Sequence, residues 1–552
     1  MIKILINTVL LLILLGACNS NRNSSSDSAS ESDSTISSTT EKEKKISKRD
    51  LSITAENAYN DIFFDSIQMA KFFIDNKTEP KLIRRITSFY NVRNYQFAWF
   101  TKVGLTEQAR GFWNLHSYST TYGNDTSLVD KNLQKKMEGY TAVEDSFTVS
   151  PNDKNIVSTE LMLTQHFITY TMNNAEDGYV KRKEMERFIP SKKSDPLRLA
   201  DSLLSTKHKN NKYYEDINPV YKALKVELAK YVDIVKQGGY SDVAAPGKQY
   251  TAGKTGSSIL ALKKRLAVTG DMPADTTLDY NETLKTGIMK FQERFGYSPT
   301  GLLTDGQVKD LNVPALERIK QILINMDRMH WIVNEPKGQM IVVNIPEFIL
   351  HVKEGKNKVF DMNVVVGKEG HNTMMFTGNL NTIVFSPYWN IPTSIIEKEI
   401  LPAMQRNPNY LASHNMEQTG TSGGLPVVRQ LPGGDNSLGK VKFLFPNSFN
   451  IYFHDTPAKS LFEKDKRAYS HGCIRLSDPP KLANYLLKDD ASWPSDKIDE
   501  AMNAGVEQFV KVKKPVPVLI TYYTAWVDDN GLLHFADDIY GHDKELSSKM
   551  FL

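Results

Sequence analysis

One short stretch of the chain holds the residue types needed for nucleophilic catalysis. It runs Ile451-Tyr452-Phe453-His454-Asp455-Thr456-Pro457 and resumes at Tyr469-Ser470-His471-Gly472-Cys473-Ile474-Arg475-Leu476. A single cysteine with histidines upstream is a nucleophile-plus-base constellation. A free thiol is only a few per cent thiolate at neutral pH. A neighbouring imidazole can take its proton and later return it to a leaving amine. Gly472 allows a tight turn before Cys473. The N–H groups of Gly472 and Cys473 are then expected to point together at a developing oxyanion.

Two other readings of the same residues are open. His454, His471 and Cys473 could be zinc ligands, since zinc accepts both donor types, although they lack a paired spacing. Cys473 could also be a buried structural thiol, against which its polar and glycine neighbours argue. Among cysteine acyltransferases, papain-like and cell-wall amidase types place the cysteine before the histidine. Sortases have the order His, Cys, Arg, with a far longer gap than the 19 positions from His454 to Cys473.

An upstream histidine followed by Ser470-His471-Gly472-Cys473 resembles the catalytic signature of L,D-transpeptidases of the YkuD type. Val342–Pro346, Val364–Lys368, Phe385–Pro392, Gly433–Pro446, His454–Pro457 and Pro515–Asp543 resemble the large periplasmic subtype, so the likeness covers most of residues 80–545. Arg475 stands where many members have Asn, and the large subtype has Arg there. The resemblance implies that Cys473 is the nucleophile and His454 the general base and acid. Asp455 would orient the imidazole through its backbone carbonyl. His471 would support the site, Gly472 would help form the oxyanion hole, and Arg475 would bind a substrate carboxylate or brace the loop. Tyr388 and Trp389 could line the cleft.

The implied reaction forms a thioester on Cys473 from a peptidoglycan tetrapeptide stem and releases the terminal D-alanine. A diamino-acid amine of a second stem then takes the acyl group, giving a 3→3 cross-link. Water as acceptor would make the protein an L,D-carboxypeptidase, and loss of activity would leave a wall-binding tether. No metal or cofactor is required, and acylation by carbapenem-type β-lactams is implied.

The elements that position these residues read as a multidomain α+β chain. Residues 51–250 are mostly helical and form the expected scaffold domain. In it Phe63, Ile67, Ala70 and Ile74 fall on one helical face. The aromatic run Phe89–Phe100 reads as core. A Gly/Ser/Ala-rich stretch at 237–258 marks a boundary. Residues 255–314, with stripes at Ile259, Leu262, Leu266 and Leu284, Ile288, Phe291, resemble the three-helix peptidoglycan-binding module. A helical stripe through Leu316, Ile319, Leu323 and Met326 reaches His330, read as a helix-end histidine, and Trp331. The pattern then becomes β-like at Met340–Ile345, Phe348–Lys353, Phe360–Val366, Thr382–Phe385 and Val441–Phe445. The catalytic domain spans 338–525, with a lid-like insertion at 392–435 that starts helical and turns Gly/Pro-rich. Residues 526–552 are taken as a C-terminal tail.

Composition and the N-terminus bound the setting. The 552 residues suggest several domains, and 68 basic against 64 acidic residues argue against a nucleic-acid partner. Met1–Ala17 reads as a signal peptide too short to span a membrane. Leu15-Gly16-Ala17-Cys18 resembles a bacterial lipobox, with Cys18 as the lipidated residue. Residues 18–50 read as a Ser/Thr-rich tether. The expected partners are the membrane, through the lipid, and peptidoglycan stem peptides. The expected location is the periplasm-facing cell envelope. Cys18 and Cys473 are the only cysteines, so Cys473 is left as a free thiol.

Overall fold

The computed structural model describes residues 46–122, 125–142, 147–173, 182–205, 218–245, 250–331 and 338–552. The expected signal peptide, Cys18 and most of the tether lie outside them. From Ser47 onward the chain forms one compact unit. The body begins slightly before the expected Leu51. Ser47 O accepts from Asn91 Nδ2 at 2.8 Å, Arg49 Nε donates to Asn94 Oδ1 at 2.7 Å, and Asp50 N donates to Asn91 O at 2.8 Å.

The first helices are α1 (Ser66–Asp75), α2 (Pro80–Asn91), α3 (Glu107–Tyr122), α4 (Lys131–Ala142), α5 (Lys154–Asn173) and α6 (Arg182–Phe188). Asp65 caps α1 by accepting from Ile67 N, and Pro80 starts α2 where no donor is needed. The expected apolar face of α1 is its solvent face. Ile67 is 72% and Ile74 77% exposed, while Met69, Phe72 and Phe73 are buried. Both sets fit a helical period. Met69, Phe72 and Phe73 together bury more apolar area than two isoleucines and an alanine. The aromatic run is core as expected, with Tyr90, Phe97, Trp99 and Phe100 fully buried. It is organised by Glu160 of α5, which accepts from Ala98 N, Trp99 N and the Tyr90 hydroxyl. Burial pushes this carboxyl up to about 7.

The scaffold region does not form one core. Helices α7 (Pro196–Leu204) and α8 (Pro219–Lys236) pack against a later helix, α12 (Ala315–Met329), rather than into the aromatic core. Between them lies the small unit of α9 (Ser257–Val268), α10 (Glu282–Arg294) and α11 (Asp305–Leu311), with its own apolar cluster. Thr304 and Gln307 form a capping box at α11. A buried pair, Arg294 with Asp271, closes the unit, and Arg294 Nη1 also donates to Leu533 O at 3.2 Å. His330 ends α12 as expected, and Trp331 enters the aromatic core.

The catalytic region is built on strands β1 (Gln339–Asn344), β2 (Ile349–Glu354), β3 (Asn357–Gly367), β4 (Phe376–Phe385), β5 (Trp389–Asn390), β6 (Met416–Ser422), β7 (Leu425–Gln430), β8 (Val441–Leu444), β9 (Phe453–His454), β10 (Ala468–Ser470), β11 (Ile474–Leu476) and β12 (Gln508–Thr521). Among the described residues the main sheet runs β10-β3-β11-β9-β8-β4-β12-β1-β2. Pairing of β2 with β3 closes it on itself as a barrel. Its interior holds Ile341, Val343, Val364, Ile383, Phe443 and Phe453, with α13 (Pro479–Leu487) and α14 (Ser495–Asn503) packed on it. The lid starts at β5, because Trp389 pairs with Gln430. Its helical part contains a π-helical turn, Ile396–Ile400, and its Gly/Pro-rich part is the β6–β7 hairpin.

Residues 526–552 are not a loose tail. They supply β13 (Ala525–Val527), β14 (Leu533–Phe535) and α15 (His542–Met550). Val527, Leu533, Phe535, Leu546 and Met550 are buried with α8 and α12. Period-two and i,i+4 apolar spacing explain both elements. Arg328 of α12 fastens this layer, bonding Glu107 of α3 and Asp543 of α15 at 2.5 Å each.

Gly111 of α3 tests how tightly Trp331 is held, because a Cβ there would lie 2.7 Å from the indole Cγ. Alanine normally stabilises a helix interior by about 1 kcal/mol over glycine. Overpacking costs about 1–3 kcal/mol, so Gly111→Ala is expected to lower stability. Thermal unfolding measures it, and a raised Tm would mean that the indole swings aside freely.

Candidate active site

The site begins as a parallel ladder of two residue pairs. Phe453 faces Ile474 and His454 faces Arg475, and Ile474 N donates to Tyr452 O at 3.1 Å. Side chains alternate along extended chain, and partners in register share a face. Phe453 and Ile474 therefore go into the barrel core, both fully buried. Tyr452, His454, Cys473 and Arg475 share the other face. Tyr452 was absent from the expected site residues, although its position two before His454 carried this signal.

His454 is buried, with Nδ1 2.5 Å from the Asp455 carbonyl. A carbonyl only accepts, so Nδ1 carries the proton and Nε2 keeps its lone pair. Burial, with Arg475 adding to it, pushes the imidazole down to about 3, so it is neutral at pH 7. The Asp455 carboxylate is occupied elsewhere, by Lys459 Nζ at 2.6 Å and Lys440 N at 2.9 Å.

The Cys473 residue is partly exposed, and its Sγ donates to the Asn450 carbonyl at 3.6 Å. Burial pushes the thiol up to about 11, while bonding to Tyr452 and the charge of Arg475 pull against that rise. The Tyr452 hydroxyl is itself raised, by burial and then by Cys473. Asn450 has φ +54°, and the loop carrying it is tied by Asn447, whose amide bonds Phe445 O and Ile451 O at 2.7 Å each. The resting pair is thus a neutral thiol and a neutral imidazole.

Gly472 differs from its expected role as an oxyanion donor. Its N–H donates to Ser470 Oγ at 3.1 Å, and Ser470 Oγ donates to Cys473 O at 2.5 Å. The serine folds the turn onto itself and takes the glycine donor. Cys473 N–H makes no hydrogen bond among the described residues. It and the Tyr452 hydroxyl are the donors left beside the sulfur. Gly472 has φ +110°, which requires glycine, and its carbonyl accepts from Thr373 Oγ1 at 2.7 Å. Thr373 is held in turn by Gly367 N and by the Tyr540 hydroxyl, which donates to Gly367 O at 2.6 Å. Tyr540 N donates to the Tyr522 hydroxyl, which donates to Asp538.

His471 reaches the lid. Its Nε2 meets Glu399 Oε1 of the lid at 3.2 Å, and its ring meets that of His371 at 4.9 Å. Tyr388 and Trp389 root the lid: Trp389 packs against Ile391, Ile395, Ile396, Ile400 and Val428, and Arg429 lies 4.1 Å over the Tyr388 ring. The Arg475 side chain makes no hydrogen bond among the described residues, and its buried Nε has no partner. No group of three His, Cys, Asp or Glu side chains among the described residues is arranged to hold a metal ion.

Residues 338–518 match the family model described as the L,D-transpeptidase catalytic domain, and residues 84–228 match the scaffold domain model. A Haemophilus influenzae protein named "Putative L,D-transpeptidase" is 29% identical over 243 residues, which are 41% of this chain and 49% of that protein. The chain thus spans about half the length of that curated relative. Similar solved structures include an L,D-transpeptidase from Mycobacterium smegmatis, at 16% identity and TM-score 0.18, covering 33% of this chain and 58% of that one. Another is from Stackebrandtia nassauensis, at 17% identity and TM-score 0.21, covering 50% and 97%. The chain carries an L,D-transpeptidase catalytic domain preceded by a scaffold domain.

A thiol near 11 leaves a thiolate fraction on the order of one in ten thousand at pH 7. Alkylation of the resting protein by iodoacetamide is expected to be slow at pH 7 and to rise about tenfold per pH unit up to pH 10. Mass spectrometry of the Cys473 peptide follows it. A plateau near neutral pH would instead reveal a preformed thiolate–imidazolium pair.

Proposed function

We propose that the protein is a cell-wall L,D-transpeptidase that uses Cys473 to cross-link peptidoglycan stems and is anchored at the envelope through a lipid on Cys18. The observation that carries this reading is the shared face of His454 and Cys473, with the His454 lone pair on Nε2.

His454 Nε2 takes the Sγ proton as the sulfur attacks the carbonyl carbon of the third, diamino-acid residue of a tetrapeptide. A C–S bond forms and the carbonyl electron pair moves to oxygen. Cys473 N–H and the Tyr452 hydroxyl donate to that oxyanion. Collapse breaks the C–N bond, and the leaving nitrogen of D-alanine takes the proton from His454. The side-chain amine of a second stem then attacks the thioester and gives its proton to His454. Sγ leaves and recovers that proton. The product is a 3→3 cross-link. The resting pKa order makes full proton transfer before attack unfavourable, so transfer accompanies attack once substrate draws Sγ from the Asn450 carbonyl. A carbapenem would acylate Cys473 by the same first step.

Gly472 holds the turn, and Arg475 supplies positive charge beside the sulfur. The three-helix unit and the scaffold would hold glycan strands near the cleft.

Incubating the protein with disaccharide-tetrapeptide, alongside Cys473→Ala, tests the reading by mass spectrometry. A cross-linked dimer lacking one D-alanine, absent from the variant, is expected. Tripeptide alone would make the protein a carboxypeptidase, and no Cys473-dependent product from folded, reduced protein would leave a wall tether. In cells, Cys18→Ser is expected to move the protein from the membrane to the soluble fraction, and an unchanged distribution would remove the lipid anchor.

A further inference from the structure

Three basic side chains beside the nucleophile make no hydrogen bond or ion pair among the described residues. They are Lys368, His371 and Arg475, and they surround the His471 imidazole. Lys368 N donates to Ser470 O at 2.9 Å, so its residue lies against the turn that carries His471. The rings of His371 and His471 meet at 4.9 Å, and Arg475 follows Cys473 by two positions on the same face. Lys368, His371 and Arg475 each act on the His471 imidazole, and Glu399 acts in the opposite sense. Among the described residues Glu399 is the one carboxylate that reaches this cluster, and it comes from the π-helical turn of the lid.

Resting on the function proposed above, we propose that this cluster is the subsite for the terminal carboxylate of the donor stem, and that Glu399 occupies it in place of that carboxylate when the cleft is empty. The leaving residue carries its carboxylate only a few bonds from the carbonyl that Sγ attacks. An anion site beside Cys473 is therefore at the right place for that group and for no other carboxylate of the donor. The buried, unpartnered Nε of Arg475 is a donor that a carboxylate would satisfy. Such a site selects stems in which the leaving residue is the last one. It also couples recognition to lid release, because the incoming carboxylate takes the His471 hydrogen bond from Glu399.

The test compares acylation of Cys473 in the full chain by a tetrapeptide with a free C-terminus and by the same peptide as its C-terminal carboxamide. The free acid is expected to react with a kcat/KM about tenfold higher, the size of one charge-assisted contact. Lys368→Ala with His371→Ala is expected to erase most of that preference. Glu399→Gln is expected to lower KM for the free acid about threefold or more and to leave the carboxamide unchanged, with Tm checked for each variant. Equal reaction of the two wild-type substrates overturns the subsite. Equal gains for both substrates in Glu399→Gln overturn the mimicry and make Glu399 a plain lid latch. If neither peptide acylates Cys473, the proposed function fails and the subsite falls with it; if both react alike, the function stands and the subsite alone fails.

Discussion

The chemistry rests on a parallel ladder two residue pairs long. Phe453 beside Ile474 and His454 beside Arg475 would not hold each other in isolation, since parallel pairing is weak and two pairs bury little. The ladder persists because it is a middle stave of a closed barrel. Strand β8 bonds one side of it through Lys442 and Phe443, and β3 bonds the other through Val364 and Val365. The outer side chains inherit that rigidity. The His454 imidazole on one strand and the Cys473 thiol at the head of the next are thereby placed by sheet geometry.

The second support comes from far along the chain. Tyr540 reaches back to Gly367 and Thr373, and Thr373 holds the carbonyl of Gly472. Gly367 has no room for a side chain, since a Cβ would meet His371 O at 2.0 Å. The turn before Cys473 is thereby fixed from two directions. The matched catalytic family region ends at 518, yet residues beyond it complete the positioning of the site. Burial also keeps the imidazole and the thiol neutral at rest. Burial costs free energy for charge on either partner.

Much of this was legible in the sequence. The fold class, the aromatic core and the strand-rich region followed from pattern and resemblance, and the ladder puts His454 and Cys473 on one face. The misses have local causes. In α1 two faces fit the same period, and only area distinguishes Phe72 and Phe73 from Ile67 and Ile74. Strand β4 extends back to Phe376 through polar Thr377, Asn379 and Asn381, which hide it, and Gly378 makes room for Phe445. Strand β12 contains Pro515 and Pro517; a register shift between Lys511 and Val516 accommodates Pro515, while Pro517 stays in register with Asn379. The capture of the Gly472 donor by Ser470 depends on a rotamer that spacing cannot encode. Tyr452 stands two positions before His454, so the period-two rule places it on the same face, although it is not among the expected site residues.

The route of the chain through its layers bears on how such a protein can be inherited. The polypeptide builds the aromatic core, leaves it for α7 to α12, and returns to it at Trp331. It then makes the barrel, and afterwards goes back to α12 with β13, β14 and α15. A recombination event that joined a foreign segment at either end of the barrel would leave an incomplete core on each side of the junction. The lid, which keeps its own apolar cluster around Ile396 and Val428, is free of that bond. Descendants of this protein could therefore exchange lids, and with them groups such as Glu399 that meet His471. The scaffold, α12 and the barrel would have to descend together as one heritable block.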